Sequence, residues 1–179
     1  KSGRIAAEGL AFAKVANGVA AIVEVNRETD FVSRGDAFKA LVEEVLDVIL
    51  ANKPATKEAA DALIEPLIVS ATVKIGEKLS FRRFDVVEAG ANAASYIHMG
   101  GKIATLVVLE KADQELAHGL AMHVAANNPS YITSLDIKQD EYDHEKHIQL
   151  ELAKNDPKLA DKPVAMLEKI LEGKIKKHF

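Results

Sequence analysis

Six histidines and the carboxylates scattered around them are the residues of this 179-residue chain whose types could do chemistry. Cysteine is absent, which removes thiol nucleophiles, disulfides and thiolate metal sites. An acid–base enzyme needs a histidine and a carboxylate converging in one pocket, and Asp30, His98 and His123 are the candidates by side-chain type. Their positions argue against it, because Asp30 and His98 fall at the outer ends of elements in different halves of the chain. His98, just ahead of Gly100-Gly101, reads equally well as a polar residue at a strand end. His123 shares a helical stripe with Leu116, Leu120 and Val124 and reads as a core or boundary histidine. His144 and His147 lie three apart, as two ligands on one helix face would, but no third histidine accompanies them and a solvated face is the better reading. Gly100-Gly101-Lys102 lacks the upstream glycine and the following Ser or Thr of a phosphate loop. Arg82 and Arg83 adjoin Phe81 and Phe84, yet adjacent strand residues point to opposite faces, so no single basic patch is expected. No enzymatic activity, no cofactor and no metal follow from these residues.

The composition narrows the field in the same direction. Hydrophobic residues make up 48% of the chain, and charges of both signs are interspersed to a net of -4, too little to gather polyanions or a membrane surface. Neither direct nucleic-acid binding nor membrane attachment is expected. No segment approaches the run of about 18 apolar residues that a bilayer requires, and the reading is cytoplasmic. The sequence opens at Lys1 without methionine and stops at Phe179, and it is read as a piece of something longer.

The elements that must position these residues follow from periodicity and turn chemistry. Residues 10–16 and 19–25 are β-prone runs joined by Asn17-Gly18, the pair suited to a type I′ hairpin turn. Val19 to Val25 is almost wholly apolar, which predicts a central strand covered on both faces. Phe38, Leu41, Val42, Val45, Leu46 and Ile49 form one stripe of a helix over Asp36–Asn52, with Asp36 as its N-cap. A second helix is predicted from Thr56 into Lys74, kinked or split by Pro66 and stopped by Gly76. A strand over Leu79–Val87 and a hairpin of Ala93–Met99 with Lys102–Glu110 come next, then a helix over Gln114–Ala126. Two further helices, Gln139–Lys154 and Val164–Lys177, read as an αα-hairpin.

The pattern repeats. A shift of 84 positions lays Val19-Ala20-Ala21-Ile22-Val23 over Ile103-Ala104-Thr105-Leu106-Val107, and a shift of 75 lays Val45, Ile49, Ala51, Asn52 and Pro54 over Leu120, Val124, Ala126, Asn127 and Pro129. The difference of nine residues, 84 less 75, is an insert in the first half at roughly 28–36. It contains Thr29-Asp30-Phe31-Val32, and a loop added to one copy of a duplicated scaffold is a natural carrier of function. Phe31 there either folds back under the following helix or stands in water awaiting a partner. Asp30 either caps that helix or offers negative charge to a partner.

Glu24-Val25-Asn26-Arg27-Glu28-Thr29-Asp30-Phe31-Val32 resembles the signature of the elongation factor Ts family. Further pieces agree in order: Ala6-Ala7-Glu8-Gly9, Lys74-Ile75-Gly76-Glu77 with Arg82-Arg83-Phe84, Ser95-Tyr96 with His98, Ala121 to Ala126 with Pro129, and Glu172-Gly173-Lys174. Arg27 stands where the signature commonly has cysteine. The resemblance implies an α+β fold, an internally duplicated core of small antiparallel sheets packed with helices, with a protruding antiparallel helical hairpin. The first core half would be 1–88, carrying the 29–32 loop, and the second 89–179, with the hairpin at about 138–178. It implies a guanine-nucleotide exchange factor that binds elongation factor Tu, a GTPase, and promotes GDP release during translation elongation. The alternative is a structural interaction module without exchange activity, and a homodimer of the complex is left open. By the same resemblance Thr29, Asp30, Phe31, Val32, Ile75, Gly76 and His98 would touch the partner, with Asp30 and Phe31 entering between two of its helices. Family members carry a small helical module before this core, and a strand and tail after the hairpin. The chain is read as a core region lacking both, with weaker affinity and stability expected as a consequence.

Overall fold

The computed structural model describes residue 6, residues 8–29 and residues 35–179. It is an α+β protein in two compact units, Lys1–Asn127 and Asn128–Phe179. The expected boundary at 88 divides the first of these units internally.

The first unit is built on β1 (Glu8–Ala16) and β2 (Val19–Arg27), joined by the turn at Asn17 and Gly18, whose φ values are 52° and 75°. These are the paired left-handed residues that a type I′ turn demands. β3 (Leu79–Glu88) adds to the other side of β2, giving an antiparallel sheet in the order β1-β2-β3. β2 is therefore central, as its apolar run requires: Ala21, Val23 and Val25 are buried with the helices, while Ala20 is buried on the opposite face with Ala89 and Ala93.

Helix α1 (Asp36–Asn52) lays Phe38, Leu41, Val42, Val45, Leu46 and Ile49 on the sheet, each essentially inaccessible. Its N-cap is Gly35 rather than Asp36, and no side chain caps it; Asp36 is the first helical residue, where its charge still suits the positive end of the helix. Helix α2 (Lys57–Ile75) starts at Thr56, whose hydroxyl accepts the Ala59 N–H at 3.2 Å. It runs unbroken through Pro66, so the expected split does not occur. Ala62, whose carbonyl loses its partner to the proline, and Pro66 itself are exposed, so water can serve the freed oxygen.

β4 (Ala93–His98) and β5 (Ile103–Val108) form a second antiparallel sheet, and α3 (Gln114–Asn127) packs on it. The buried face of α3 is Ala117 and Ala121, and the Thr105 hydroxyl donates to the Ala121 carbonyl at 2.7 Å. Leu116 is 51% exposed and His123 is exposed, correcting the expected stripe. Small residues let the helix approach closely, so the alanines face the sheet and the larger side chains ride outside.

The second unit holds α4 (Gln139–Lys154) and α5 (Val164–His178). Its buried positions are Glu145, Ala153, Leu171 and Ile175, whereas the large apolar side chains of Ile148, Leu152 and Met166 are exposed. Glu145 Oε1, in the second turn of α4, lies 3.5 Å from His178 Nδ1 at the end of α5.

Candidate functional site

β2 ends where β3 begins, with Arg27 opposite Leu79 as the last pair of their antiparallel ladder. The chain just beyond β2 and the chain just before β3 therefore run side by side. Four residues there bond in both directions. Lys78 donates its backbone N–H to Glu28 Oε1 at 2.8 Å, while Thr29 donates its N–H to Glu77 Oε2 at 3.0 Å and its hydroxyl to Glu77 Oε1 at 2.6 Å. A carboxylate accepting two donors from one residue makes charge-assisted bonds and fixes that residue's orientation.

Gly76 makes the approach of Glu77 possible. It ends α2 in the left-handed conformation, φ 85°, with its N–H on the Thr72 carbonyl at 3.0 Å. Among the described residues a side chain there would meet no neighbour, and the backbone angle by itself calls for glycine. Ile75, one residue earlier, packs half-buried against the core of the first sheet. Below the pair, Arg27 is buried, with its guanidinium 5.6 Å from the Phe38 ring centre and Nη1 donating to the Glu8 carbonyl at 3.3 Å. The position that commonly holds cysteine thus carries a side chain that helps close this end of the core.

Of the residues expected to meet a partner, Thr29, Ile75 and Gly76 come together at this end of the sheet. Asp30, Phe31 and Val32 lie outside the described residues. His98 belongs to the second sheet, as the last residue of β4. It is half-buried, with Nδ1 2.9 Å from the Tyr96 hydroxyl, and Tyr96 in turn meets the His118 ring edge-on at 6.2 Å. Residues two apart on a strand share a face, which is why Tyr96 and His98 can pair.

Sequence reasoning passed over Glu77 and Tyr96 as anything but parts of motifs. Tyr96 was findable from its spacing to His98. Glu77 was not, because its bond to Thr29 spans 48 positions.

Arg82 and Arg83 do converge: Arg82 Nη1 lies 3.4 Å from Glu24 Oε1 and Arg83 Nε 2.5 Å from Glu24 Oε2. The ladder shifts register between Glu24 and Val25, with Arg83 opposite Glu24 and Phe81 opposite Val25, so Arg82 is an extra bulged residue and loses strict alternation. The neighbour of His123 is Asn127, one turn on, with the amide donating to the His123 carbonyl at 2.9 Å. Its surroundings are thus distinct from the Tyr96 pairing of His98. Among the described residues no group of three or more His, Asp or Glu side chains is placed to hold a metal, and no helix is long and apolar enough to cross a membrane.

Comparison with known proteins adds what geometry cannot. The family model described as elongation factor TS matches residues 28–179. The chain is 46% identical over 185 residues to the elongation factor Ts of Limosilactobacillus reuteri, an alignment covering 99% of this chain and 62% of that protein. It is 45% identical over 185 residues to that of Pediococcus pentosaceus, with the same coverage. The chain thus spans 62% of the length of these relatives. With a family match running across most of its length, the chain belongs to the elongation factor Ts family of translation elongation factors.

Proposed function

We propose that the chain is a guanine-nucleotide exchange factor that docks on elongation factor Tu in the cytoplasm and promotes its release of GDP without covalent chemistry. The observation that carries the reading is the clasp of Thr29 to Glu77, directly after Ile75 and Gly76, in a chain of this family. Thr29, Ile75 and Gly76, three of the expected partner contacts, lie at one end of the first sheet, with Thr29 exposed and the other two half-buried. From that end Asp30, Phe31 and Val32 would engage the partner, and His98 would add a contact from the second sheet. Exchange then follows from linkage. A factor that binds the nucleotide-free GTPase more tightly than the nucleotide-bound form must weaken nucleotide affinity by the same ratio.

The same reading treats the core as duplicated, with halves at 1–88 and 89–179. Its support is the order hairpin then helix, found once as β1-β2-α1 and again as β4-β5-α3. It treats 138–178 as a projecting antiparallel helical hairpin, which the Glu145 to His178 approach favours.

The test is release of fluorescent GDP from purified elongation factor Tu with and without the chain. Acceleration that scales with chain concentration supports exchange. Binding without acceleration would leave an interaction module, and absence of both overturns the reading.

A further inference from the structure

We infer that Glu77 is a positioning residue for Thr29, holding a partner-contacting segment in place before any partner arrives. This rests on the exchange reading above, in which Thr29 belongs to the docking surface. Three observations carry it. The two oxygens of one carboxylate take both donors of Thr29, at 3.0 Å from the amide and 2.6 Å from the hydroxyl. Glu28, the neighbour of Thr29, takes the N–H of Lys78, the neighbour of Glu77, at 2.8 Å, so the two segments are tied twice and in opposite directions. Both bonds of Thr29 lie at the exposed surface, while the anchor beneath them, Leu79, is buried.

An exposed clasp of this kind adds little to a core that α1, α2 and the first sheet already close. Its effect is on order. A residue held by its own amide and hydroxyl has lost its freedom in the unbound state, and docking need not restrict it again. Gly76 belongs to the same device, since its left-handed turn delivers Glu77 to Thr29.

The test compares wild type, Glu77→Ala, Thr29→Val, the double variant and Glu77→Gln. Each single loss is expected to weaken stimulated GDP release by roughly tenfold at low factor concentration, with thermal unfolding nearly unchanged. The double variant is expected to be no worse than Glu77→Ala alone, because the hydroxyl bond that Thr29→Val removes is one of the two that Glu77→Ala removes, the amide bond surviving in Thr29→Val. Glu77→Gln keeps a carbonyl for the Thr29 amide and gains an amide that donates to its hydroxyl, so it should recover most of the rate. A second readout is hydrogen exchange at the Thr29 amide in the chain alone, protected in wild type and exposed in Glu77→Ala. If wild type accelerates release and Glu77→Ala matches it, the positioning role is overturned while the exchange reading stands. If wild type does not accelerate release, the exchange reading fails, and the Thr29 amide alone decides the clasp: protection lost in Glu77→Ala upholds it, and equal exchange in both proteins overturns it.

Discussion

Ala11 donates its backbone N–H to the carbonyl oxygen of Gly101 at 2.7 Å. Ala11 lies in the edge strand of the first sheet and Gly101 in the turn of the second, so this bond ties the β4–β5 turn to an edge that would otherwise present a bare N–H. The approach is close enough that a side chain has no room. A Cβ on Gly101 would lie 2.9 Å from Phe12 Cζ and 3.1 Å from the Ala11 carbonyl oxygen, and the backbone there has φ 103°.

Gly101→Ala should therefore destabilise the first unit by about 1–3 kcal/mol, from backbone strain and the contact with Phe12 together. Gly100, with φ 66° and nothing within 4 Å of its Cβ among the described residues, supplies the comparison: Gly100→Ala carries the strain alone and should cost about 1 kcal/mol. Thermal unfolding of both variants measures the difference. Equal losses would mean that the approach to Phe12 is not a constraint.

Tyr96→Phe removes one hydroxyl and keeps the ring against His118. The Tyr96 hydroxyl and His98 Nδ1 are 2.9 Å apart, and if the hydroxyl donates, the ring tautomer with its proton on Nε2 is the one that the bond selects. On the proposed docking to elongation factor Tu, loss of the Tyr96 hydroxyl should lower affinity by roughly fivefold, the worth of about one net hydrogen bond. Nitrogen NMR of His98 should show a shift in tautomer balance. Unchanged tautomer and affinity would separate Tyr96 from the role of His98.

Lys14 bridges β1 to α1, reaching Asp47 at 2.8 Å and Glu43 at 3.0 Å. The hydrogen bond to Asp47, then that to Glu43, raises its pKa above the ordinary 10.5. A raised folded pKa means that the charged form favours the folded state. The contribution is whole below 10.5 and fades as pH climbs through the higher folded value. With all three side chains substantially solvated, it should amount to no more than about 0.2–1 kcal/mol. Urea unfolding of wild type and Lys14→Met should differ by that much at pH 7 and converge in strong alkali. A gap that persists there would belong to packing of the lysine stem.

Phe31 lies outside the described residues, and its role is decided by a pair of measurements. Phe31→Ala should unfold within about 0.5 kcal/mol of wild type, as an exposed side chain does, while losing at least about 2 kcal/mol of partner binding, close to thirtyfold. An aromatic tucked under α1 would reverse the balance, with about 3–5 kcal/mol lost from folding. Early melting, or normal melting with wild-type GDP release, would remove Phe31 from the docking surface.

What the sequence determined by itself is local chemistry and period. Asn17-Gly18 and Gly76 name their own left-handed turns, because few residues adopt that backbone at low cost. The stripe of α1 and the apolar run of β2 specify their burial because every large side chain on them agrees. The helix spans Asp36–Asn52 and Gln139–Lys154 were likewise legible from their period, although neither N-terminus carries a side-chain cap. The family signature was legible for the same reason, being a continuous string of residue types.

What only tertiary structure decided is phase and pairing. On α3 the period was readable but the face was not, since close approach to the sheet favours Ala117 and Ala121 over the larger Leu116 and Leu120. On β3 one extra residue at the register shift brought Arg82 and Arg83 to the same carboxylate, against the alternation that a regular strand implies. Thr29 and Glu77 are ordinary polar residues in their own neighbourhoods. Their bond exists because the end of β2 lies beside the start of β3, a fact set by sheet order and register, and contacts across 48 positions are chosen by the whole core rather than by either segment.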